Sequence, residues 1–131
     1  MRLRNVKDKD DILANCSCFV SKPMSYKGKW NSVFSNNNPI YVEIGCGKCK
    51  FIYENAKKFP NINFIGIEKF ASVLALGVKN RDFNLGNVRL INIDAMGIDE
   101  VFDKEVDRIY LNFSDPWPKN RHEKRRLTSS N

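Results

Sequence analysis

The segment from Ile40 to Lys48 constrains the fold of this chain more than any other. It reads Ile-Tyr-Val-Glu-Ile-Gly-Cys-Gly-Lys, an apolar run rich in β-branched residues that leads into two closely spaced glycines. A helical pattern follows. A strand that passes through a glycine turn into a helix is the way an open α/β sheet forms its ligand crevice. The turn requires glycine because a Cβ atom would block both the tight backbone path and the close approach of a ligand.

The remainder of the chain repeats this alternation of strand and helix. Beyond the first strand, Ile40–Ile44, apolar periodicity predicts a helix over residues 48–59, a strand over 62–67, a helix over 70–81, a strand over 88–93, a short helix near 98–102 and a strand over 106–112. Strands separated by helices of this length form parallel βαβ units with right-handed crossovers. Residues 1–38, with a short helix at 10–13 and turn residues around Pro23 and Gly28, are predicted to form an N-terminal arm, and residues 39–131 the domain proper.

Composition fits one globular α/β domain of modest size. The chain has 131 residues, of which 42% are hydrophobic and 28% charged, so disorder throughout is not expected. Its apolar runs are far shorter than a membrane span, and its first residues lack the apolar centre of a signal peptide. We therefore expect a cytoplasmic protein without a membrane partner.

The net charge of +7 is concentrated towards the two ends of the chain. Clustered cations favour a polyanionic partner, with nucleic acid first and acidic lipid second, although a solvated terminus has the same composition. Near the beginning, Lys27-Gly28-Lys29-Trp30 places an aromatic residue among cations. This arrangement suits contact with RNA, and it equally suits an aromatic anchor packed on the domain.

Four cysteines form a Cys-x-Cys pair at 16 and 18 and a Cys-x-x-Cys pair at 46 and 49. Their number alone allows a zinc site or a redox pair. The second pair falls in the glycine turn and at the start of the helix, where zinc would occupy the ligand crevice. We therefore predict free thiols and no metal site, with a zinc protein as an open alternative.

Acidic residues close or follow each predicted strand. They are Glu43, Glu68, Asp94 and Asp115, and in a parallel sheet all of them gather at the carboxyl edge. Helix N-capping explains any single one of them equally well. Glu68 follows Gly45 by 23 residues, which is the place of an acid that accepts ribose hydroxyls.

The ligand suggested by these acids is an adenosine with a cationic centre. A dinucleotide fingerprint requires a third glycine where this chain has Lys50, so NAD(P) is the weaker alternative. Glu43, beside Gly45 and Gly47, can face a sulfonium or α-ammonium group, and Asp94 and Ala95 can border adenine. We therefore predict S-adenosylmethionine as the cofactor.

A rigid acidic and aromatic turn follows the fourth strand. In Asp115-Pro116-Trp117-Pro118-Lys119 the prolines fix the backbone. A carboxylate accepts both the ring N–H and the exocyclic amine of guanine, and an indole offers a face for stacking. The cations that follow can hold phosphates without reading sequence.

Together these motifs resemble the bacterial tRNA (guanine-N(7)-)-methyltransferase family. The segments that carry the resemblance are Arg-Leu-Arg-Asn at the start, Tyr26-Lys27-Gly28-Lys29-Trp30, Glu43-Ile44-Gly45-Cys46-Gly47-Lys48, Ile65-Gly66-Ile67-Glu68, Asn92-Ile93-Asp94-Ala95 and the run from Tyr110 to Lys119. The resemblance implies an α/β, Rossmann-like class I fold and methyl transfer from S-adenosylmethionine to nitrogen 7 of a guanosine in the tRNA variable loop, at position 46 in tRNA numbering.

The resemblance also assigns roles to residues. It implies cofactor contacts from Glu43, Gly45, Gly47, Glu68, Asp94, Ala95 and Asp115, catalysis by Asp115, substrate contacts from Trp117 and Lys119, and RNA contacts from Arg121, His122, Glu123, Lys124, Arg125 and Arg126. It makes tRNA the expected partner.

The chain departs from the family at two points. Cys49 stands where the family usually has glycine, which is expected to crowd the packing of the helix or cofactor. Family members also continue well beyond Asn131, so we expect a C-terminally truncated chain with about four strands of the usual seven. An inactive fragment that retains RNA binding is therefore the alternative, and the chain is expected to be a monomer or a homodimer.

Overall fold

The computed structural model describes residues 8–112. Its elements in chain order are α1 (Lys9–Ala14), a 3-10 helix (Pro23–Tyr26), α2 (Trp30–Phe34), β1 (Ile40–Ile44), α3 (Lys50–Lys58), β2 (Asn63–Ile67), α4 (Ala71–Lys79), β3 (Val88–Ile91), a second 3-10 helix (Ala95–Glu100) and β4 (Arg108–Leu111). None of the described helices is long and apolar enough to span a membrane.

The four strands form one parallel sheet in the order β3-β2-β1-β4. This is the doubly wound arrangement, in which the chain builds outward from β1 in one direction and then returns to its other side. The prediction of an α/β fold with parallel strands is therefore confirmed. Within the described residues β4 is an edge strand, and β1 is its one neighbour in the sheet.

Side chains that alternate along the strands fill two hydrophobic layers. Val88 and Leu90 of β3 face one layer, which α1, α3 and α4 cover with residues such as Ile52 and Leu74. The other layer consists of Trp30, Phe34, Ile40, Val42, Ile44, Ile65, Ile67, Ile91, Val101 and Phe102. Because both faces are covered, β1 and β2 are apolar on both sides, as strands in the middle of parallel sheets usually are.

Residues 8–38 pack on the sheet. Phe19 forms a parallel bridge with Leu90 of β3, and Trp30 is fully buried against Phe102. The helix α2 and the 3-10 helix at Pro23–Tyr26 were not predicted, because glycine and proline there were interpreted as turn residues only. The indole of Trp30 donates a hydrogen bond to the carbonyl oxygen of Val101 at 2.8 Å. Of the two interpretations of Trp30, the packed anchor is therefore the one that its burial supports.

Several element boundaries differ from the predictions. The helix predicted from residue 48 begins at Lys50, because Gly47 and Cys49 have left-handed backbone angles that no helix includes. The strand predicted over residues 88–93 ends at Ile91, and the segment near 98–102 is a 3-10 helix that begins at Ala95. The side chain of Asp94 accepts the Met96 N–H and so starts that helix early.

Candidate active site

The parallel register brings the ends of β1, β2 and β3 to one edge of the sheet. Ile44 is opposite Ile67, and Ile67 is opposite Ile91. Glu43, Glu68 and Asp94 therefore all lie at the carboxyl edge, as the sequence predicted for them. The fourth acid of the prediction, Asp115, lies outside the described residues. So do Trp117, Lys119, Arg121, His122, Glu123, Lys124, Arg125 and Arg126.

The glycine turn after β1 is fixed to the end of β2. The N–H groups of Gly45 and Cys46 both donate to the carbonyl oxygen of Ile67, at 2.8 and 3.0 Å. Gly45 has φ +81° and Gly47 has φ +56°, backbone angles that glycine adopts without a steric penalty. The turn is thus a rigid rim of backbone at the edge where the acids lie.

Cys49 also has a left-handed backbone, with φ +71°, and it is the N-cap residue of α3. A residue with a Cβ atom pays about 1–2 kcal/mol for this conformation. The physical reason for a glycine at this position is therefore the backbone angle. The Cys49 side chain is fully buried, in the same hydrophobic layer as Ile52.

Glu68 holds the glycine turn through its carboxylate. One oxygen accepts the Gly47 N–H at 2.9 Å, and the other accepts the Phe70 N–H at 3.2 Å. The side-chain amide of Asn92 in turn donates to the Glu68 carbonyl at 2.9 Å. Each carboxylate oxygen has two lone pairs, so both oxygens retain capacity to accept further hydrogen bonds.

Glu43 is buried and only half satisfied. Its side chain is 2% exposed, and one carboxylate oxygen accepts a hydrogen bond from the Asn112 amide at 2.7 Å. The other oxygen, Oε1, has no hydrogen-bond partner within the described part of the chain. Burial raises the pKa of Glu43 to about 7, the Asn112 hydrogen bond opposes this rise, and the negative charge of Glu68 adds to it. A buried carboxylate oxygen without a partner calls for a donor, which a water molecule or a cationic ligand can supply.

Asp94 and its neighbours follow the end of β3 at this edge of the sheet. The exposed Asp94 carboxylate accepts the Met96 N–H at 3.0 Å, so the helix-capping interpretation is correct for this acid. Ala95 is half-buried, and the Met96 side chain is 90% exposed. Phe70, which follows Glu68 at the neighbouring strand end, is also largely exposed. Two exposed apolar residues, Phe70 and Met96, therefore follow the ends of β2 and β3.

Sequence reasoning missed Asn112 as a site residue. It lies one position beyond β4, where its backbone N–H donates to Ile44 and its amide reaches Glu43. A polar residue at the end of a predicted strand was the available signal, the same one that identified the acids. Phe70 and Met96 had no such signal, since an apolar residue in a sequence does not disclose its exposure.

The glycine turn also depends on close packing from α4. Gly77 lies so near Lys48 that a Cβ atom at this position would be 2.5 Å from the Lys48 carbonyl oxygen. That oxygen is already held by the guanidinium of Arg81 at 2.9 Å. The helix can therefore approach the turn only because residue 77 is glycine.

We expect Gly77→Ala to lower the free energy of unfolding by up to about 2 kcal/mol, because overpacking against a backbone costs about 1–3 kcal/mol and the higher helix propensity of alanine offsets about 1 kcal/mol of that cost. Urea denaturation measures this difference. Gly86→Ala is the matched control, since no described heavy atom lies within 4 Å of its added Cβ. An increase in stability for Gly77→Ala would show that α4 has room to move.

All four cysteines are free thiols. Cys46, Cys49 and Cys18 are buried, and Cys16 is partly exposed. Within residues 8–112 no group of three or more histidine, cysteine or acidic side chains could hold a metal ion.

Comparison with known proteins identifies the family. Residues 37–131 match a family model described as "Putative methyltransferase". The chain is 56% identical over 133 residues to the tRNA (guanine-N(7)-)-methyltransferase of Bacillus subtilis strain 168, an alignment that includes 99% of this chain and 62% of that protein. It is 55% identical over 131 residues to the Bacillus velezensis protein of the same name, including 98% of this chain and 60% of that one. The chain thus spans about 60% of the length of these curated relatives.

Solved structures agree on the fold. A methyltransferase described as antibiotic-related aligns with a TM-score of 0.56 and 21% identity, over 70% of this chain and 48% of that one. The antibiotic-resistance methyltransferase Kmr aligns with a TM-score of 0.57 and 16% identity, over 71% of this chain and 49% of that one. The described sheet is therefore a Rossmann-like methyltransferase fold, and the chain belongs to the methyltransferase family whose model matches residues 37–131.

Proposed function

We propose that this protein transfers a methyl group from S-adenosylmethionine to nitrogen 7 of a guanosine in the variable loop of tRNA, at position 46 in tRNA numbering. The observation that carries the proposal is the 56% identity, over 99% of the chain, to a tRNA (guanine-N(7)-)-methyltransferase. The aligned region includes the glycine turn and the acidic edge. Under this proposal the protein acts in the cytoplasm, where tRNA is found.

The residues of the edge fit the cofactor chemically. S-adenosylmethionine supplies an activated methyl group on a sulfonium and also carries an α-ammonium group. The orphaned Oε1 of Glu43 offers a negative partner to such a cation. Glu68 retains acceptor capacity for ribose hydroxyls, while Gly45 and Gly47 leave room for a ligand against the backbone.

Two exposed apolar residues are the proposed contacts to the faces of the adenine ring. Phe70 and Met96 follow the ends of the neighbouring strands β2 and β3. Asp94 and Ala95 complete this border in the proposal. A flat aromatic ligand gains most from such a site because its faces meet apolar side chains while its rim meets acceptors.

Guanine needs to be positioned more than it needs to be activated. Nitrogen 7 has an in-plane lone pair, so no general base is required before it attacks. The protein must hold the base out of its stack and in line with the methyl group. Guanine then becomes cationic, and we propose that the carboxylate of Asp115 stabilises this charge. Trp117 and Lys119 are the proposed contacts to the base and its surroundings.

The basic run after Lys119 is proposed to hold the tRNA backbone. It comprises Arg121, His122, Glu123, Lys124, Arg125 and Arg126. Phosphate contacts of this kind provide affinity without sequence information, and they weaken as salt concentration rises.

Methyl transfer to unmodified tRNA tests the proposal. The chain is incubated with S-adenosylmethionine and a tRNA transcript, and 7-methylguanosine is measured by mass spectrometry of the nucleosides. A transcript with 7-deazaguanosine at position 46 is the matched control, because it lacks only the attacked nitrogen. We expect product from the first transcript and none from the second. Binding of tRNA without any 7-methylguanosine would instead identify the chain as an RNA-binding fragment.

Calorimetry tests the cofactor separately from the reaction. We expect S-adenosylmethionine to bind to the chain and NAD to give no measurable heat, since Lys50 replaces the third glycine of a dinucleotide site. The opposite preference would contradict the assigned cofactor whatever the transferase assay shows.

A further inference from the structure

A tight turn holds Cys16 and Cys18 between α1 and β3. The Phe19 N–H donates to the Cys16 carbonyl at 3.1 Å, which closes the turn. Two backbone hydrogen bonds join the turn to β3. The Leu90 N–H donates to the Cys18 carbonyl oxygen at 2.8 Å, and the Val20 N–H donates to the Leu90 carbonyl oxygen at 2.9 Å. The turn is therefore fixed on the edge of the sheet, away from the strand ends that form the acidic edge.

The two sulfur atoms have different environments. Cys18 is buried, and its thiol lies 2.9 Å from the Phe83 carbonyl oxygen, to which it donates. Cys16 is half-buried and lines an open cavity of about 310 Å³ beside Arg81 and Asp82. Cys16 is thus partly accessible to solvent, and Cys18 is not.

The neighbouring Cys18 side chain, and more weakly the backbone N–H groups of Cys18 and Phe19, lower the pKa of Cys16 to about 6, while burial opposes this effect. Arg81 and Asp82 face the same cavity with opposite charges. The pKa of Cys18 is raised, chiefly by the hydrogen bond to Cys16, although Arg89 opposes the rise. At neutral pH Cys16 is therefore the thiolate of the pair.

We propose that Cys16 is a modification site for small-molecule disulfides and that Cys18 is the thiol that resolves the adduct. The Cys16 thiolate attacks one sulfur of R–S–S–R, forms Cys16–S–S–R and releases R–S⁻. Cys18 then loses its proton to solvent, attacks the Cys16 sulfur, forms the Cys16–Cys18 disulfide and releases the second R–S⁻. The two cysteine sulfurs give up two electrons, and the small disulfide accepts them.

The second step is favoured by the first. While Cys16 is a thiolate, its charge and its hydrogen bond keep the proton on Cys18. Formation of the mixed disulfide removes the charge of Cys16, so the Cys18 thiol ionises more easily. Only one residue separates the two cysteines, and the turn closed by the Phe19 N–H carries both of them.

Cys46 and Cys49 provide an internal comparison. They are also a closely spaced pair, but both are buried in a hydrophobic layer, and the neighbouring Cys49 thiol together with burial raises the pKa of Cys46. Neither is expected to react in the folded chain on the time scale of Cys16.

Reaction of the folded chain with 5,5′-dithiobis(2-nitrobenzoate) tests the proposal. We expect a fast phase that releases two thionitrobenzoate ions per chain and leaves a chain lighter by two hydrogens, with the bond mapped to Cys16 and Cys18. Cys16→Ser should abolish the fast phase. Cys18→Ser should release one ion and retain the adduct on Cys16. A fast phase that persists in Cys16→Ser, or a wild-type chain that keeps a stable adduct, would overturn the proposal.

The pH dependence provides a second measurement that needs no variant. The rate constant of the fast phase should become constant above about pH 7, because thiolate formation at Cys16 is then complete. At pH 6 the reaction should be roughly 20-fold faster than that of a thiol with pKa 9 in the same accessible position, after the lower nucleophilicity of the more acidic thiolate is included. A rate that continues to rise through pH 8, as it does for free cysteine, would contradict the proposal even if Cys18→Ser does not fold.

Discussion

Glu43→Gln is expected to weaken binding of S-adenosylmethionine by at least about 30-fold while making the folded chain more stable above neutral pH. The loss of affinity follows from the position of the carboxylate. Its Oε1 atom is buried and lacks a hydrogen-bond partner among the described residues, so a cationic group at this site would meet an uncompensated negative charge. Glutamine keeps the shape and the acceptor for Asn112 but removes the charge.

The gain in stability follows from the pKa of Glu43, which is raised from 4.5 to about 7 in the folded chain. Below pH 4.5 the carboxyl is protonated in both the folded and the unfolded state, so it adds no difference. Between pH 4.5 and 7 the unfolded state loses the proton while the folded state keeps it, and stability falls. Above pH 7 the wild-type chain therefore carries a penalty of about 2–4 kcal/mol that glutamine removes.

Urea denaturation at pH 5 and pH 8 measures the effect on stability, and calorimetry measures the effect on affinity. The advantage of Glu43→Gln should be small at pH 5 and close to its full value at pH 8. Glu54→Gln, at an exposed position of α3, is the control and should change neither quantity. Equal pH dependence of the wild type and Glu43→Gln would show that the carboxylate is not desolvated.

Cofactor binding should also be linked to protons. Because a bound cation lowers the pKa of Glu43, the wild-type chain should release protons on binding between pH 6 and 7, and Glu43→Gln should not. Calorimetry in two buffers of different ionisation enthalpy measures this release. The result separates a direct role of Glu43 at a cation from a role in folding alone.

Local chemistry explains why the first part of the site was predictable. β1 has the predicted bounds because a β-branched run is closed by Pro39 on one side and by Gly45 on the other. Since parallel strands end at a common edge, placing acids after strands was enough to bring Glu43 and Glu68 together.

Contacts between distant segments explain what could not be predicted. The hydrogen bond between Asn112 and Glu43 joins residues 69 apart, and it exists only because β4 returns to the side of β1. The pKa of Glu43 depends on burial, which no local pattern reports. The donors around Cys16 depend on a turn whose backbone angles the sequence does not disclose.

The segment before β1 shows the same limit. The composition of this segment, with Trp30 beside the cations Lys27 and Lys29, is compatible with two opposite roles. One is contact with RNA, and the other is packing on the domain. The structure places the indole at 0% exposure, and Glu105 accepts the backbone N–H groups of Gly28 and Trp30 at 2.7 and 3.1 Å. The segment is therefore attached to the loop before β4 by hydrogen bonds as well as by apolar contact.

Trp30→Ala is expected to lower the free energy of unfolding by about 3–5 kcal/mol, because it leaves a large cavity in a layer that also contains Phe34 and Phe102. A domain of this size has a total stability of about 5–15 kcal/mol, so this loss is a large fraction of it. Trp30→Phe should lose less, about 1–2 kcal/mol, since it keeps a ring in the layer but leaves the Val101 carbonyl without its donor.

Urea denaturation and limited proteolysis measure these losses, with Met24→Ala as the control because its side chain is mostly exposed. The same variants also decide between the two roles of the segment. If Trp30→Phe keeps the affinity for tRNA and loses only stability, the indole is an anchor of the fold. If it binds tRNA more weakly at unchanged stability, the indole must leave the core to meet RNA, and the packing of residues 8–38 on the sheet would then be one of two states of the protein.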